Sequence, residues 1–260
     1  MIHKTAIIDR KANISNNVDI GAYTVIGPNV TINEDVIVHA QVNINGNTIV
    51  GNGTEIYPFA SIGNAPQDLK YNGEETKLII GKNNKIREYV TINPGTVGGG
   101  GQTTIGNNCL LMVCSHVAHD CFVGDNVIIA NNVPLGGHAH IEDSVVIGGN
   151  SAVQQFTRIG KMAMIGGMCG VVKDIIPYGL ALGNRCVLHG VNLIGLRRKN
   201  INNKEILSLT SLYKKIFKSE NLTDNLKNIS DEYNNNKLAK DVINFINRDK
   251  KRPICTPFSK

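Results

Sequence analysis

Residues 115–121 read SHVAHDC, which sets His116 and His119 three apart, puts Asp120 directly after the second histidine, and flanks the pair with Cys114 and Cys121. A neutral imidazole accepts a proton near physiological pH, and a carboxylate beside it can hold one tautomer. The same side chains could also ligate a metal, or form polar surface turns with no further role. The two cysteines add a possible nucleophile. Seven residues cannot separate these chemistries, so the choice falls to the scaffold that carries them.

The chain has 260 residues, 28.2 kDa of mass, 5% aromatic residues, no Trp and 27 Gly, a composition short of the rings that fill an ordinary core. It points to a thinner and more regular interior. No apolar run reaches the length of a membrane span, and the start lacks the apolar stretch of a secretory signal, so a cytosolic location is expected. Six cysteines without CxxC or zinc-ribbon spacing suggest buried free thiols. Charge is uneven: residues 1–194 hold 12 Lys and Arg against 14 Asp and Glu, residues 195–260 hold 15 against 7, so the tail carries the basic excess.

A step of six residues organises most of the chain. Ile2, Ile8, Ile14, Ile20, Ile26, Ile32, Val38, Ile44, Val50, Ile56 and Ile62 form an unbroken aliphatic series, and a small or β-branched residue such as Ala6, Val18 or Thr24 follows four places later. The series returns at Ile80, slips by one, and runs from Ile105 to Val171, with Cys109 and Cys121 among the small partners. A period of six is neither helical nor a simple alternation. It is the hexapeptide signature of a parallel β-helix, in which three hexads close a triangular coil and coils stack ~4.8 Å apart.

The prism is expected over residues 1–190, with loops leaving it at about 64–79 and 98–104, and a helical domain over 191–260 read from the spacing of Ile206, Leu209, Leu212 and Ile216 and of Val242, Phe245 and Ile246. That bundle offers itself as a cap for the open end of the prism. Residues 18 apart then stack, which lays His119 under Gly137 and Asp120 under His138. A Gly beside a base leaves its backbone N–H open to an oxyanion. His116, His119, Asp120, Gly137 and His138 form one cluster on one edge. A catalytic, a metal and a purely structural reading all remain open at this point.

The motifs IYPFASIGNAPQDLKY, IREYVTINPGT with GGGGQT, LLMVCSHVAHDC, LGGH, VIGGNSAVQQF and GVNLIGLRRK occur in order along the chain. In this set the chain closely resembles the UDP-N-acetylglucosamine O-acyltransferases that begin lipid A synthesis. The resemblance implies an all-β left-handed parallel β-helix with a small C-terminal α-helical domain, in a homotrimer whose active sites lie between subunits. It implies transfer of an (R)-3-hydroxyacyl group from acyl carrier protein to the 3-hydroxyl of UDP-N-acetylglucosamine. No metal and no resident cofactor are implied, since phosphopantetheine arrives on the carrier.

By motif, His119 would be the general base, Asp120 its orienter and Gly137 the oxyanion donor. Gln67, Asp68 and Lys70 would grip the sugar and phosphates, His116 and His138 would contact nucleotide or donor, and Gln155, Asn192, Arg198 and Lys199 would contact nucleotide or carrier. Gly167 would leave room for a longer acyl chain. Gln154 and Ile194 depart from the family's frequent His and Glu. The basic tail suits an acidic carrier, whereas nucleic acid is not expected. Attack would be direct, with no acyl-enzyme. The rivals are N-acylation of a 3-amino sugar nucleotide, a zinc-dependent β-helix hydratase, and a non-catalytic binding β-helix.

Overall fold

The structure, a computed structural model, describes residues 1–219, 221–227, 229, 233, 236–249 and 251–257. Each hexad folds as a two-residue strand and a turn, and the second strand residue points inward. In the pair Asn43–Ile44, Asn43 is half-buried and Ile44 fully buried, and the same alternation repeats at Thr31–Ile32 and Thr91–Ile92. The strands form three sheets of nine, eight and ten strands, parallel with each strand pairing the one three elements away except at the last two strands of the ten-stranded sheet. Sheet I runs from Ile7–Ile8 to Gly170–Val171, sheet II from Asn13–Ile14 to Arg158–Ile159, and sheet III from Asp19–Ile20 to Gly179–Leu182, closed by Val187–Val191. The handedness is left, as the resemblance implies.

The inward aliphatic residues, among them Ile32, Ile44, Ile56, Ile62, Ile86 and Ile92, are fully buried and form the continuous core of the prism. Small residues fill its inner corners. Where a corner residue is polar, a neighbouring coil satisfies it: Thr24 Oγ1 donates to the His39 carbonyl at 2.8 Å, and Thr54 Oγ1 to the Gly81 carbonyl at 3.0 Å. Cys109 and Cys121 occupy the same kind of corner, and burial pushes their thiols up to about 11 and about 12. Free, buried thiols of this kind are packing residues.

Both loops rejoin the prism earlier than the hexads indicate. Strands Lys77–Ile80 and Gln102–Ile105 are four residues long and pair with each other, and Lys77–Ile80 also pairs with Asn47–Val50, so residues 77–79 and 102–104 belong to sheet II. The six-residue pattern marks only the inward positions of a two-residue strand. A longer strand therefore escapes it.

The end of the prism also departs from expectation. Gly179–Leu182 continues sheet III in parallel with Met164–Ile165, and Val187–Val191 then pairs with it antiparallel. Positive φ at Gly183 and Cys186 makes the reversal. This antiparallel strand covers the sheet edge, and helix α2 packs on it. The helices are α1 (Leu193–Arg198), α2 (Asn203–Ile216), α3 (Leu222–Lys227) and α4 (Lys237–Arg248). The side chains of Asn192, Asn202 and Asn236 cap α1, α2 and α4. Helix α2 buries Ile206, Leu209, Leu212, Tyr213 and Ile216, and α4 buries Leu238, Ala239, Val242, Phe245 and Ile246.

One buried ion pair fastens the tail to the prism. Arg158, on the outer side of sheet II, donates from Nε to Asp174 Oδ2 at 2.6 Å, from Nη1 to the Phe245 carbonyl at 3.1 Å and from Nη2 to the Asp249 carbonyl at 2.9 Å. Residues 253–256 then lie against Asp174 and Leu188 through backbone hydrogen bonds.

Inward and outward positions should differ sharply in stability. Ile44→Ala is expected to cost ~2–5 kcal/mol, because a fully buried side chain leaves a cavity that stacked coils cannot close. Val25→Ala, on the exposed side, is expected to cost under ~1 kcal/mol. Chemical denaturation of both variants checks the difference; equal losses would contradict the assignment of faces.

Candidate active site

The edge between sheets I and II carries the cluster. Its turns are 118–121, 136–139 and 154–157, one above another, with Asp120, His138 and Phe156 at φ 59°, 60° and 62°. Side chains other than Gly adopt this left-handed geometry at a cost of ~1–2 kcal/mol per residue. Hydrogen bonds from the coil below hold them there: His138 N–H donates to the His119 carbonyl at 3.0 Å, and Phe156 N–H to the Gly137 carbonyl at 2.9 Å. The predicted stack of His119 under Gly137 and Asp120 under His138 is what this ladder builds.

His119 Nδ1 lies 2.8 Å from Asp120 Oδ2. An ionised carboxylate only accepts, so Nδ1 carries the proton and Nε2 keeps a free lone pair. The Asp120 side chain is fully buried and fully engaged. Thr96 N–H donates to Oδ1 at 2.8 Å, and Thr96 Oγ1 to Oδ2 at 2.6 Å. The glycine loop makes this approach possible: a Cβ on Gly99 would fall 2.0 Å from Asp120 Cγ. Asp120 N–H donates in turn to Thr103 Oγ1 at 2.8 Å.

Gly137 faces the other side of the imidazole. A Cβ there would lie 2.7 Å from both Cε1 and Nε2 of His119, so any side chain would collide with the ring. Among the described residues its N–H donates to no protein group. His138 stands edge-on to His119, ring centroids 5.1 Å apart, and stacks flat on Phe156 at 4.2 Å. Burial first, and then the neighbouring His119, pushes His116 below the ordinary histidine range. Its Nδ1 is 2.7 Å from Thr91 Oγ1. His138 is also lowered, chiefly by burial, with the Asp120 carboxylate opposing.

The ligand atoms of His119, Asp120 and His138 lie within 4.8 Å of one another, which is close enough for a metal. His119 Nδ1 and both Asp120 oxygens already take part in hydrogen bonds with Thr96 and with each other, so a cation drawn to the carboxylate would compete with an existing network.

Other expected site residues are placed as follows. The loop of Gln67, Asp68 and Lys70 hangs near the edge, where the Asp68 carboxylate acts electrostatically on His138. Asn93 fixes its root through the carbonyls of Asn64 at 3.1 Å and Ala65 at 3.3 Å. Gln155 is exposed one coil above Gly137. Asn192, Arg198, Lys199 and Gly167 are not brought to this edge. The Asn192 amide caps α1 through Gly195 N–H and donates to the Met162 carbonyl at 2.9 Å, on the edge between sheets II and III. Gly167 is exposed in the turn between sheets III and I. Thr91, Thr96, Gly99 and Phe156 join the cluster although the sequence does not single them out. The glycine run beside Thr96 is the one hint, and nothing in it measures the distance to Asp120.

A parallel prism with this edge defines the class of hexapeptide-repeat transferases, and the bacterial transferase hexapeptide family matches residues 102–137. Residues 174–255 match the second domain of UDP-N-acetylglucosamine O-acyltransferase. The acyl-[acyl-carrier-protein]--UDP-N-acetylglucosamine O-acyltransferase of Rickettsia canadensis is 49% identical over 98% of this chain and 97% of its own length, and that of Aliarcobacter butzleri 47% over 94% of each. The crystal structure of UDP-N-acetylglucosamine O-acyltransferase (LpxA) from Moraxella catarrhalis superposes with a TM-score of 0.95 at 44% identity, covering 98% of this chain and 99% of that one. The chain belongs to the UDP-N-acetylglucosamine O-acyltransferase family.

Three histidines, His116, His138 and His140, are held below the ordinary range by burial first. Below about pH 6.5 the unfolded chain takes up protons that the folded chain resists. Their contribution to stability is thus complete above that pH and lost as pH falls through the lowered folded values. The melting temperature should drop between about pH 7.5 and 5.5, on either side of the unfolded histidine value, and drop less in His140→Gln. An identical drop would remove His140 from the account.

Proposed function

We propose that the chain transfers an (R)-3-hydroxyacyl group from acyl carrier protein to the 3-hydroxyl of UDP-N-acetylglucosamine, the first step of lipid A biosynthesis. The observation that carries it is the His119 lone pair on Nε2 beside Gly137, whose N–H is unengaged among the described residues. His119 Nε2 takes the proton of the acceptor hydroxyl as its oxygen attacks the thioester carbonyl. The Gly137 N–H receives the developing oxyanion. Collapse of the tetrahedral intermediate expels the carrier's thiolate, which recovers the proton from the His119 imidazolium. Asp120 steadies that imidazolium and fixes the tautomer.

No acyl-enzyme is needed. The Cys121 thiol is buried and its acidity suppressed, and Cys114 lies in the turn between sheets III and I. The reaction uses no resident cofactor or metal, and the competing hydrogen-bond network disfavours a zinc hydratase. A cytoplasmic location belongs to the same reading; no described helix is long and apolar enough to cross a membrane.

The active unit is a homotrimer. Within one chain, Gly167 and Asn192 sit on edges other than that of His119, so a site using all three draws on a neighbouring subunit. Arg198 and Lys199, at the end of α1, would reach the nucleotide or carrier in the same way, and Gly167 would leave room for the acyl chain.

Incubation with UDP-N-acetylglucosamine and 3-hydroxyacyl carrier protein should give an ester of the expected mass. His119→Ala should lose at least ~100-fold in kcat. Gly137→Ala should lose a similar ~100-fold through its collision with the ring. Mixing His119→Ala subunits with Arg198→Ala subunits should restore part of the activity, since mixed trimers contain some intact sites. No restoration would confine the site to one chain, and acylation of only a 3-amino analogue would change the acceptor.

A further inference from the structure

The glycine loop grips one residue from both of its ends. Thr96 stands where the loop leaves the prism, and Thr103 lies in strand Gln102–Ile105, where it returns. Thr96 donates from its N–H and its Oγ1 to the two oxygens of Asp120, at 2.8 Å and 2.6 Å, and Thr103 Oγ1 accepts the Asp120 N–H at 2.8 Å. Both threonines are buried. One hydroxyl therefore holds the carboxylate and the other holds its backbone, which sits at a left-handed φ of 59°.

The loop does not need the Thr96 hydroxyl for its own shape. Thr96 precedes the single turn Val97–Gly99, at the place where a threonine side chain ordinarily caps, yet its hydroxyl makes no capping bond. Backbone groups close the loop instead. Gly99 N–H and Gly101 N–H donate to the Thr96 carbonyl at 3.0 Å and 2.8 Å, Lys77 N–H donates to the Gly101 carbonyl at 2.8 Å, and Gly95 N–H to the Lys77 carbonyl at 3.1 Å. Loss of the hydroxyl leaves each of these bonds its partners and takes away a donor to the carboxylate. Gly99 serves the same contact, since a Cβ there would fall 2.0 Å from Asp120 Cγ and lift the loop away from it.

The oxygen that receives the hydroxyl is also the one that holds the imidazole. Asp120 Oδ2 takes Thr96 Oγ1–H and His119 Nδ1–H together, and the carboxylate has no exposed surface. A buried carboxylate oxygen short of a donor is costly, and rotation toward any other donor would draw Oδ2 away from Nδ1. The imidazole could then carry its proton on either nitrogen. With the proton on Nε2 it has no lone pair to offer beside Gly137.

We propose that Thr96 is a positioning residue of the acyl transfer: its hydroxyl holds Asp120 Oδ2 against His119 Nδ1–H and so keeps the imidazole in the tautomer whose Nε2 is free. The assignment rests on the acyl-transfer reading. Thr96 acts through Asp120 and not on the reacting atoms.

The test uses full-length protein with Thr96→Val, which keeps the shape and loses the hydroxyl, Thr96→Ser, which keeps the hydroxyl, and Thr96→Val combined with Asp120→Ala. Thr96→Val should lose ~10- to 100-fold in kcat while KM for UDP-N-acetylglucosamine and for the acyl carrier protein donor stays within ~3-fold, and Thr96→Ser should recover most of the loss. Beside Asp120→Ala the valine should cost nothing further, because the group it acts through is already gone. Nitrogen NMR of histidine-labelled protein, with the His119 signals assigned by their loss in His119→Gln, reads the tautomer directly. The proton should sit on Nδ1 in wild type and in Thr96→Ser, and be divided between the nitrogens in Thr96→Val. A kcat of Thr96→Val within ~3-fold of wild type, or an unchanged tautomer in that variant, overturns the proposal. Losses that multiply in the double variant also overturn it, since they give Thr96 a separate task in shaping the loop. A rise in either KM with kcat held does the same and makes the loop a binding element. Wild type that forms no ester, while Thr96→Val still divides the proton, leaves Thr96 positioning the imidazole and refutes the acyl-transfer reading instead.

Discussion

Everything in this protein depends on hydrogen bonds between residues one coil apart. A coil closes after three hexads, and the N–H of one turn finds the carbonyl of the turn below, as His138 finds His119 and Phe156 finds Gly137. Aliphatic side chains inside the prism keep that register, since a slip of one residue would turn each of them outward. The geometry of the histidine cluster follows as a by-product of stacking. Histidines far apart in sequence arrive with ring centroids 5.1 Å apart because the coil spacing is that of adjacent β-strands.

Stacking alone would leave the His119 imidazole imprecise. The remaining order comes from Asp120, a buried carboxylate that would be costly without partners. Thr96 supplies two hydrogen bonds and His119 a third, so the loop, the carboxylate and the imidazole are locked as one unit. Glycine is required at two contacts of that unit. Gly99 lets the loop close on the carboxylate, and Gly137 lets the next coil pass the ring. The same absence of a Cβ that relieves the collision also leaves the Gly137 N–H uncovered by any side chain of its own.

The sequence reveals periodic features and conceals those built by distant contacts. The hexads locate nearly every inward residue, and the 18-residue spacing alone places His119 against Gly137. It misses the four-residue strands at Lys77 and Gln102, because their extra residues lie outside the inward pattern. It misses the antiparallel strand Val187–Val191, which has no repeat to announce it. Thr96 is invisible for another reason: its partner is 24 residues away, and the intervening loop obeys no period. The Arg252 contact with Gln154 spans 98 residues and depends on how α4 delivers the tail.

That delivery ties the two halves of the chain to one edge. Arg158 is nearly buried, and its guanidinium is shared among Asp174 and the carbonyls of Phe245 and Asp249, so the end of α4 cannot shift without stranding a buried charge. Asp174 is fully buried, and that burial raises its carboxyl even with Arg158 beside it. The hydrogen bonds of Arg158 tie the end of α4 to the prism at three acceptors. The cations that follow in the chain are consequently held beside Phe156 and the catalytic edge, where loosely attached basic residues would be free to sample the solvent.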